Sequence, residues 1–139
     1  MIDFLPGLFA SSIMFGTMLS LLLGRWWQAV FYNPGGFAKE FQSLDLGKVS
    51  ALVAIALMLL AIAVDNIIVT ALLTVVLVLY SMQALSLLHA VINLRQMNTA
   101  WLVLGYLVMF FIPQLLLLLI LAGVADPWLR IRQRMGQVA

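Results

Sequence analysis

Long apolar runs separated by short polar breaks dominate this chain. Four runs approach the roughly 17–25 apolar residues that a membrane-spanning helix needs. The first extends from about Phe4 to Leu23 and carries no charge. The second, from about Val49 to Val64, is at the short limit. The third covers about Ile67 to Ile92, and the fourth about Trp101 to Val124, with Pro113 inside it. Only Asp65 and Asn66 separate the second run from the third. Short polar side chains bond nearby backbone groups and favour turns, so this break predicts a tight helical hairpin. The alternative is one continuous helix, which would overshoot a hydrocarbon core of about 30 Å and bury Asp65 within it.

The stretch between the first two runs changes the pattern. Arg25, Trp26, Trp27 and Tyr32 are expected as interfacial anchors, because Trp and Tyr concentrate where lipid meets water and Arg can snorkel to the headgroups. Asn33-Pro34-Gly35-Gly36 then breaks any helix. Beyond it Phe37, Phe41 and Leu44 recur at i, i+4 and i+7, with Lys39, Glu40 and Gln42 elsewhere on the wheel, which predicts a short helix lying in the interface plane. The expected fold is therefore an all-α integral membrane protein with four transmembrane helices plus one short interfacial amphipathic helix. It forms a single domain over residues 1–139, with spans at about 4–23, 49–64, 67–92 and 101–124 and the interfacial segment at 25–48.

Composition supports lipid as the main solvent. Of 139 residues, 65% are hydrophobic and 9% charged, against about 45–50% and about 25% in soluble domains. A soluble chain of this size leaves too much surface in water to hide such a share. The net charge of +2, with no basic stripe, argues against a nucleic-acid partner. The absence of cysteine removes disulfides, thiol catalysis and thiolate metal sites. Met1-Ile2-Asp3 lacks the basic start of a signal peptide, and no small-x-small cleavage site follows, so the first run is expected to be a retained helix. With four spans both termini share one side. That side carries Arg130, Arg132 and Arg134, and the other Arg25, Lys39, Lys48 and Arg95. Counting cations decides little, although the clustered arginines favour a cytoplasmic C-terminus.

Few residues are candidates for chemistry. Ser12, Gly16, Ser20 and Gly24 recur at steps of four and form a candidate packing face, either for the chain's own helices or for a partner. Gln83, Ser86, Ala90 and Asn93 share a face of the third run, with His89 beside it. Together with Gln114, which follows Pro113, these polar residues would either line a cavity for a solute or bond neighbouring helices to one another. Pro113 leaves a carbonyl without its helical donor and predicts a kink. Asp126 is expected to cap a short terminal helix that begins at Pro127. Trp128 is then an anchor, and Arg130 and Arg132 meet anionic lipid or dock a cytoplasmic partner. There is one His and no acid pair in a plausible pocket, so no catalytic, cofactor or metal residues are expected. Asn33-Pro34-Gly35-Gly36 lacks the lysine of a phosphate loop.

The run Leu23-Gly24-Arg25-Trp26-Trp27-Gln28-Ala29, with Tyr32-Asn33-Pro34-Gly35-Gly36-Phe37, resembles a segment of the YybS-like family, bacterial predicted inner-membrane proteins with a domain of unknown function. The end, Leu121-Ala122-Gly123-Val124-Ala125-Asp126-Pro127-Trp128-Leu129-Arg130-Ile131-Arg132, is similar to that family's closing motif. The resemblance covers most of this chain but only the C-terminal half of a typical family member, so the sequence is expected to be a split or shortened version or a piece of a longer protein. The resemblance implies a multi-pass protein of the bacterial inner (cytoplasmic) membrane. It also implies a distant likeness to the six-helix substrate-binding subunits of energy-coupling-factor vitamin transporters.

Two functions are therefore expected. The first is a non-enzymatic subunit or assembly component of a membrane complex, with the lipid bilayer and either a second copy or another membrane protein as partners. The second is a solute-binding or transport component similar to vitamin-transporter subunits.

Overall fold

The computed structural model describes residues 5–136. The start of the first predicted span at Phe4, and the reading of Met1-Ile2-Asp3, lie outside the described residues. The described residues form seven α-helices and no strand: α1 (Leu5–Tyr32), α2 (Gly36–Gln42), α3 (Gly47–Ala63), α4 (Ile67–Leu94), α5 (Ala100–Phe111), α6 (Gln114–Leu129) and α7 (Ile131–Gly136). The all-helical class agrees with the sequence. Among the described residues two helices, α1 and α4, are each long and apolar enough to cross a membrane. The number rises to four if α2 with α3, and α5 with α6, each make one broken span.

Three boundaries depart from expectation. Helix α1 does not stop near Leu23. It continues through Arg25, Trp26 and Trp27 to Tyr32, so these anchors are helical, and its 28 residues extend about 42 Å. The chain then turns at Gly35, whose φ of +81° is left-handed and suits glycine. The fourth predicted span does not kink at Pro113 but folds back, with α5 and α6 meeting at 118°. Finally, the terminal helix starts at Ile131 rather than Pro127, which lies inside α6. Arg130, with φ of +49°, ends α6. The helix breaks at the Asp65-Asn66 position, between Ala63 and Ile67. Asn66 Oδ1 caps α4 by accepting from Ile68 N–H at 2.8 Å.

The chain forms two compact units. Among the described residues the first comprises 5–41 and 52–79. Here α1 buries or half-buries Gly7, Ser11, Met14, Met18, Leu22, Arg25 and Ala29, a stripe with helical period, and exposes nearly everything else. At Gly7 the α1 backbone comes so close to α4 that an added Cβ would lie 3.1 Å from Ala71 Cα. The guanidinium of Arg25 pairs with the Glu40 carboxylate of α2 through Nε, at 2.7 Å, and through Nη2. Arg25 Nη1 donates to Gln28 Oε1 at 3.0 Å. This bidentate pair holds the Glu40 carboxyl below its ordinary range, chiefly through the hydrogen bond itself. Phe37 stacks on Phe41, with centroids 5.9 Å apart.

The second unit comprises the described residues 42–51 and 80–136. Its core is the C-terminal half of α4, where Tyr80, Met82, Gln83, Ala84, Ser86, Leu87 and Ala90 are buried, together with Ile120, Gly123 and Val124 of α6. Outside these cores, large apolar side chains such as Phe9, Ile13, Leu21, Ile62, Phe110 and Phe111 are exposed, each at more than two-thirds of its area. So much bare apolar surface is stable only against lipid or protein.

Candidate functional site

The polar residues of the second unit form a staple rather than an open cavity. Gln83 is fully buried on α4. Its Oε1 accepts from Leu46 N–H at 3.0 Å, and its Nε2 donates to the Gly123 carbonyl at 2.8 Å. Local sequence explains the second bond. Pro127 stands four residues after Gly123 and has no N–H, so α6 leaves the Gly123 carbonyl without its helical donor. Gln83 supplies the missing donor from another helix. Glycine at 123 permits the close approach, because an added Cβ would lie 3.4 Å from Ala84 N and 3.5 Å from Ala84 Cα.

One turn earlier on α4, Tyr80 Oη donates to Ser50 Oγ at 3.1 Å. At the C-terminal end of α4, Asn93 Nδ2 donates to Gln42 Oε1 at 2.9 Å. Arg132, just beyond α6, donates from Nη1 to the Gln42 carbonyl at 2.8 Å. Gln42, which ends α2, thus ties the end of α4 to the segment after α6. Asp126 is buried on α6 and secures that segment. Its Oδ1 accepts from Ile131 N–H at 3.0 Å, and its Oδ2 lies 3.3 Å from Arg132 Nε. The Arg132 pair is close enough for charge attraction but not aligned as a hydrogen bond, because Nε and Nη2 have no hydrogen-bond partner. Asp126 therefore does cap the terminal helix, from five residues upstream.

The predicted polar set is only partly gathered. Gln83 and Ser86 are buried, but both ends of the Gln83 amide are spent on backbone. His89 Nδ1 lies 2.9 Å from the Leu85 carbonyl of its own helix, and its ring meets Tyr106 edge-on. Asn93 faces Gln42. Gln114 is exposed at the α5–α6 bend. The cavity of about 430 Å³ beside α4, α5 and α6 is lined instead by apolar residues, among them Leu88, Ile92, Trp101, Val108 and Leu119. Among the described residues no group of His, Cys, Asp and Glu is arranged to hold a metal ion.

The predicted packing face on α1 is also clear. Ser12, Gly16, Ser20 and Gly24 are all exposed, and a Cβ added at Gly16 or Gly24 would meet nothing within 4 Å. Ser12 and Ser20 donate to the carbonyls of Leu8 and Gly16, at 2.7 and 2.8 Å. The face that α1 uses against its own chain starts at Gly7 and Ser11 instead, another pair of small residues four apart, and the choice between the two ridges was not legible in sequence. Among the anchors, Trp26, Trp27, Tyr32, Trp128 and Arg130 are exposed, whereas Arg25 and Arg132 are half-buried in the pairs described. The Gly123–Pro127 carbonyl and its Gln83 partner were missed too, although the spacing of four was the available signal. No protein-family model, no curated protein and no solved structure matches the chain.

Proposed function

We propose that this chain is a non-enzymatic subunit of a membrane complex, assembled from copies of itself or with another membrane protein, in the bacterial inner membrane that its resemblance to YybS-like proteins implies. One observation carries the reading: the Ser12–Gly16–Ser20–Gly24 ridge is exposed, and a Cβ added at Gly16 or Gly24 meets nothing within 4 Å. Its serine hydroxyls are satisfied within α1, so a second helix can approach without desolvating an unpaired group. The α5–α6 bend adds support. Pro113 denies the Met109 carbonyl its helical donor, and Gln114 is exposed beside it. Lipid cannot bond such groups, whereas a neighbouring subunit can.

In this reading α1, α3 and α4 span the bilayer, and α5–α6 is a re-entrant hairpin. The 12 residues of α5 reach about 18 Å, well short of a core of about 30 Å. The Gln42 bonds to Asn93 and Arg132 keep the segment after α6 with the ends of its neighbours. All seven Lys and Arg residues then fall on one side and the Asp65 turn on the other, which makes the basic side cytoplasmic.

A gentle-detergent pull-down of the tagged chain, with intact-mass analysis, tests the assembly. Copies or a partner at fixed stoichiometry are expected, and Gly16→Leu should dissolve the assembly while leaving the fold intact. A strictly monomeric chain in detergent and nanodiscs, with no partner from its own membrane, would refute the proposal. The solute-binding alternative has the apolar cavity of about 430 Å³ in its favour, and a copurifying apolar molecule would support it.

A further inference from the structure

The segment before α3 and the segment that closes α6 enclose a second cavity, of about 450 Å³, whose chemistry differs from the apolar one. Ser43, Asp45, Lys48, Asp126, Arg130 and Arg132 contribute to its lining. The two carboxylates are already committed. Asp45 Oδ1 accepts from Gly47 N–H at 2.8 Å, and Asp126 holds Ile131 N–H and Arg132. Arg132 is held by its charge contact with Asp126 and by the bond from Nη1 to the Gln42 carbonyl, while its Nε and Nη2 make no hydrogen bond. Lys48 and Arg130 are different. Both are exposed, and among the described residues neither makes an ion pair or a side-chain hydrogen bond.

Lys48 also stands in the first turn of α3, a 17-residue helix whose N-terminal dipole disfavours a cation and favours an anion. Two uncommitted cations, a third held rigid by a buried carboxylate, and a helix start all bear on one concave space. We propose that this cavity binds the phosphate of an anionic ester, with Lys48 and Arg130 as the cations that contact it and with the Asp126–Arg132 pair as part of its wall. The proposal rests on the topology above only for its site at the cytoplasmic face, where anionic lipid headgroups supply such phosphates. A soluble phosphate satisfies the same chemistry.

The test uses the full chain in nanodiscs of equal phosphatidylglycerol and phosphatidylcholine, with bound lipid counted by native mass spectrometry. A parallel arm follows inorganic phosphate by 31P line broadening in lipid-free detergent. Three chains are compared: wild type, Lys48→Gln/Arg130→Gln, and Arg134→Gln, which removes a tail cation that does not line the cavity. Each contacting cation near a membrane surface is worth roughly fivefold in affinity. The double variant should therefore lose on the order of twentyfold, and Arg134→Gln much less. Loss confined to phosphatidylglycerol retention identifies a lipid headgroup, and loss confined to the 31P arm identifies a soluble phosphate. Equal binding by the double variant and Arg134→Gln in both arms overturns the site. Gly16→Leu, which probes assembly, should leave this binding unchanged, so failure of one proposal is distinguishable from failure of the other.

Discussion

Replacing Gln83 by leucine isolates the staple that organises the second unit. The substitution keeps the side chain's volume but strands two backbone groups, the half-buried Leu46 N–H and the buried Gly123 carbonyl. A buried group left unsatisfied costs about 1–3 kcal/mol, while side-chain bonds between membrane helices average only about 0.6 kcal/mol. Between these bounds a loss of about 2–3 kcal/mol is expected, most of it at Gly123. Pro127 makes the cost diagnostic, because it is the reason the Gly123 carbonyl lacks a donor of its own helix. In a Pro127→Ala background the residue 127 N–H can serve that carbonyl, and the cost of Gln83→Leu should fall to about 1 kcal/mol, the share of Leu46 N–H. The assay is a double-mutant cycle read as folded fraction during SDS titration in mild detergent. An equal cost of Gln83→Leu in both backgrounds would refute the carbonyl argument. A Gln83→Leu chain no less stable than one carrying Gln114→Leu, at the exposed bend, would refute the staple itself.

Two further outcomes are expected. The chain has no cysteine, so single cysteines placed at Asn66, Gln96 and Gln133 report topology directly. An impermeant thiol reagent applied to intact cells should label position 66 alone, and labelling of position 133 from the same side as 66 would remove the re-entrant hairpin. The Glu40 carboxyl is depressed by Arg25, so its contribution to holding α2 on α1 is complete above the unfolded carboxylate value of about 4.3 and is lost as pH falls through the lower folded value. Fluorescence of the neighbouring Trp26 and Trp27 should change in that acid window in the wild type and not in Glu40→Gln. An identical acid transition in both would sink the assignment.

The legible part of the fold was local. Runs of apolar residues, the Asp65-Asn66 break and the Asn33-Pro34-Gly35-Gly36 turn each act within a few residues of themselves, so α2, α3, α4 and their turns fell where the pattern put them. The candidate site was less legible. Gln83, Ser86 and Asn93 were recognisable as polar groups on one helix face. Nothing local indicated that Gln83 would meet Leu46 and Gly123, which lie 37 and 40 residues away. The uncharged apolar run ends at Leu23, but α1 continues through Arg25, whose charge meets Glu40 of α2.

Composition and periodicity by themselves determined that the chain is helical and carries apolar runs of membrane-spanning length. These properties depend on side-chain transfer and backbone satisfaction, which each segment carries alone. Tertiary structure decided which ridge of α1 turns inward, because Gly7 and Gly16 are equally small and only the position of Ala71 on α4 distinguishes them. It also decided the fate of the last apolar run. A proline permits any bend from a slight kink to a reversal, so the residues around Pro113 do not encode its 118° turn, and the bonds that hold α6 and the segment after it to their unit, Gln83 to Gly123 and Arg132 to Gln42, come from distant parts of the chain.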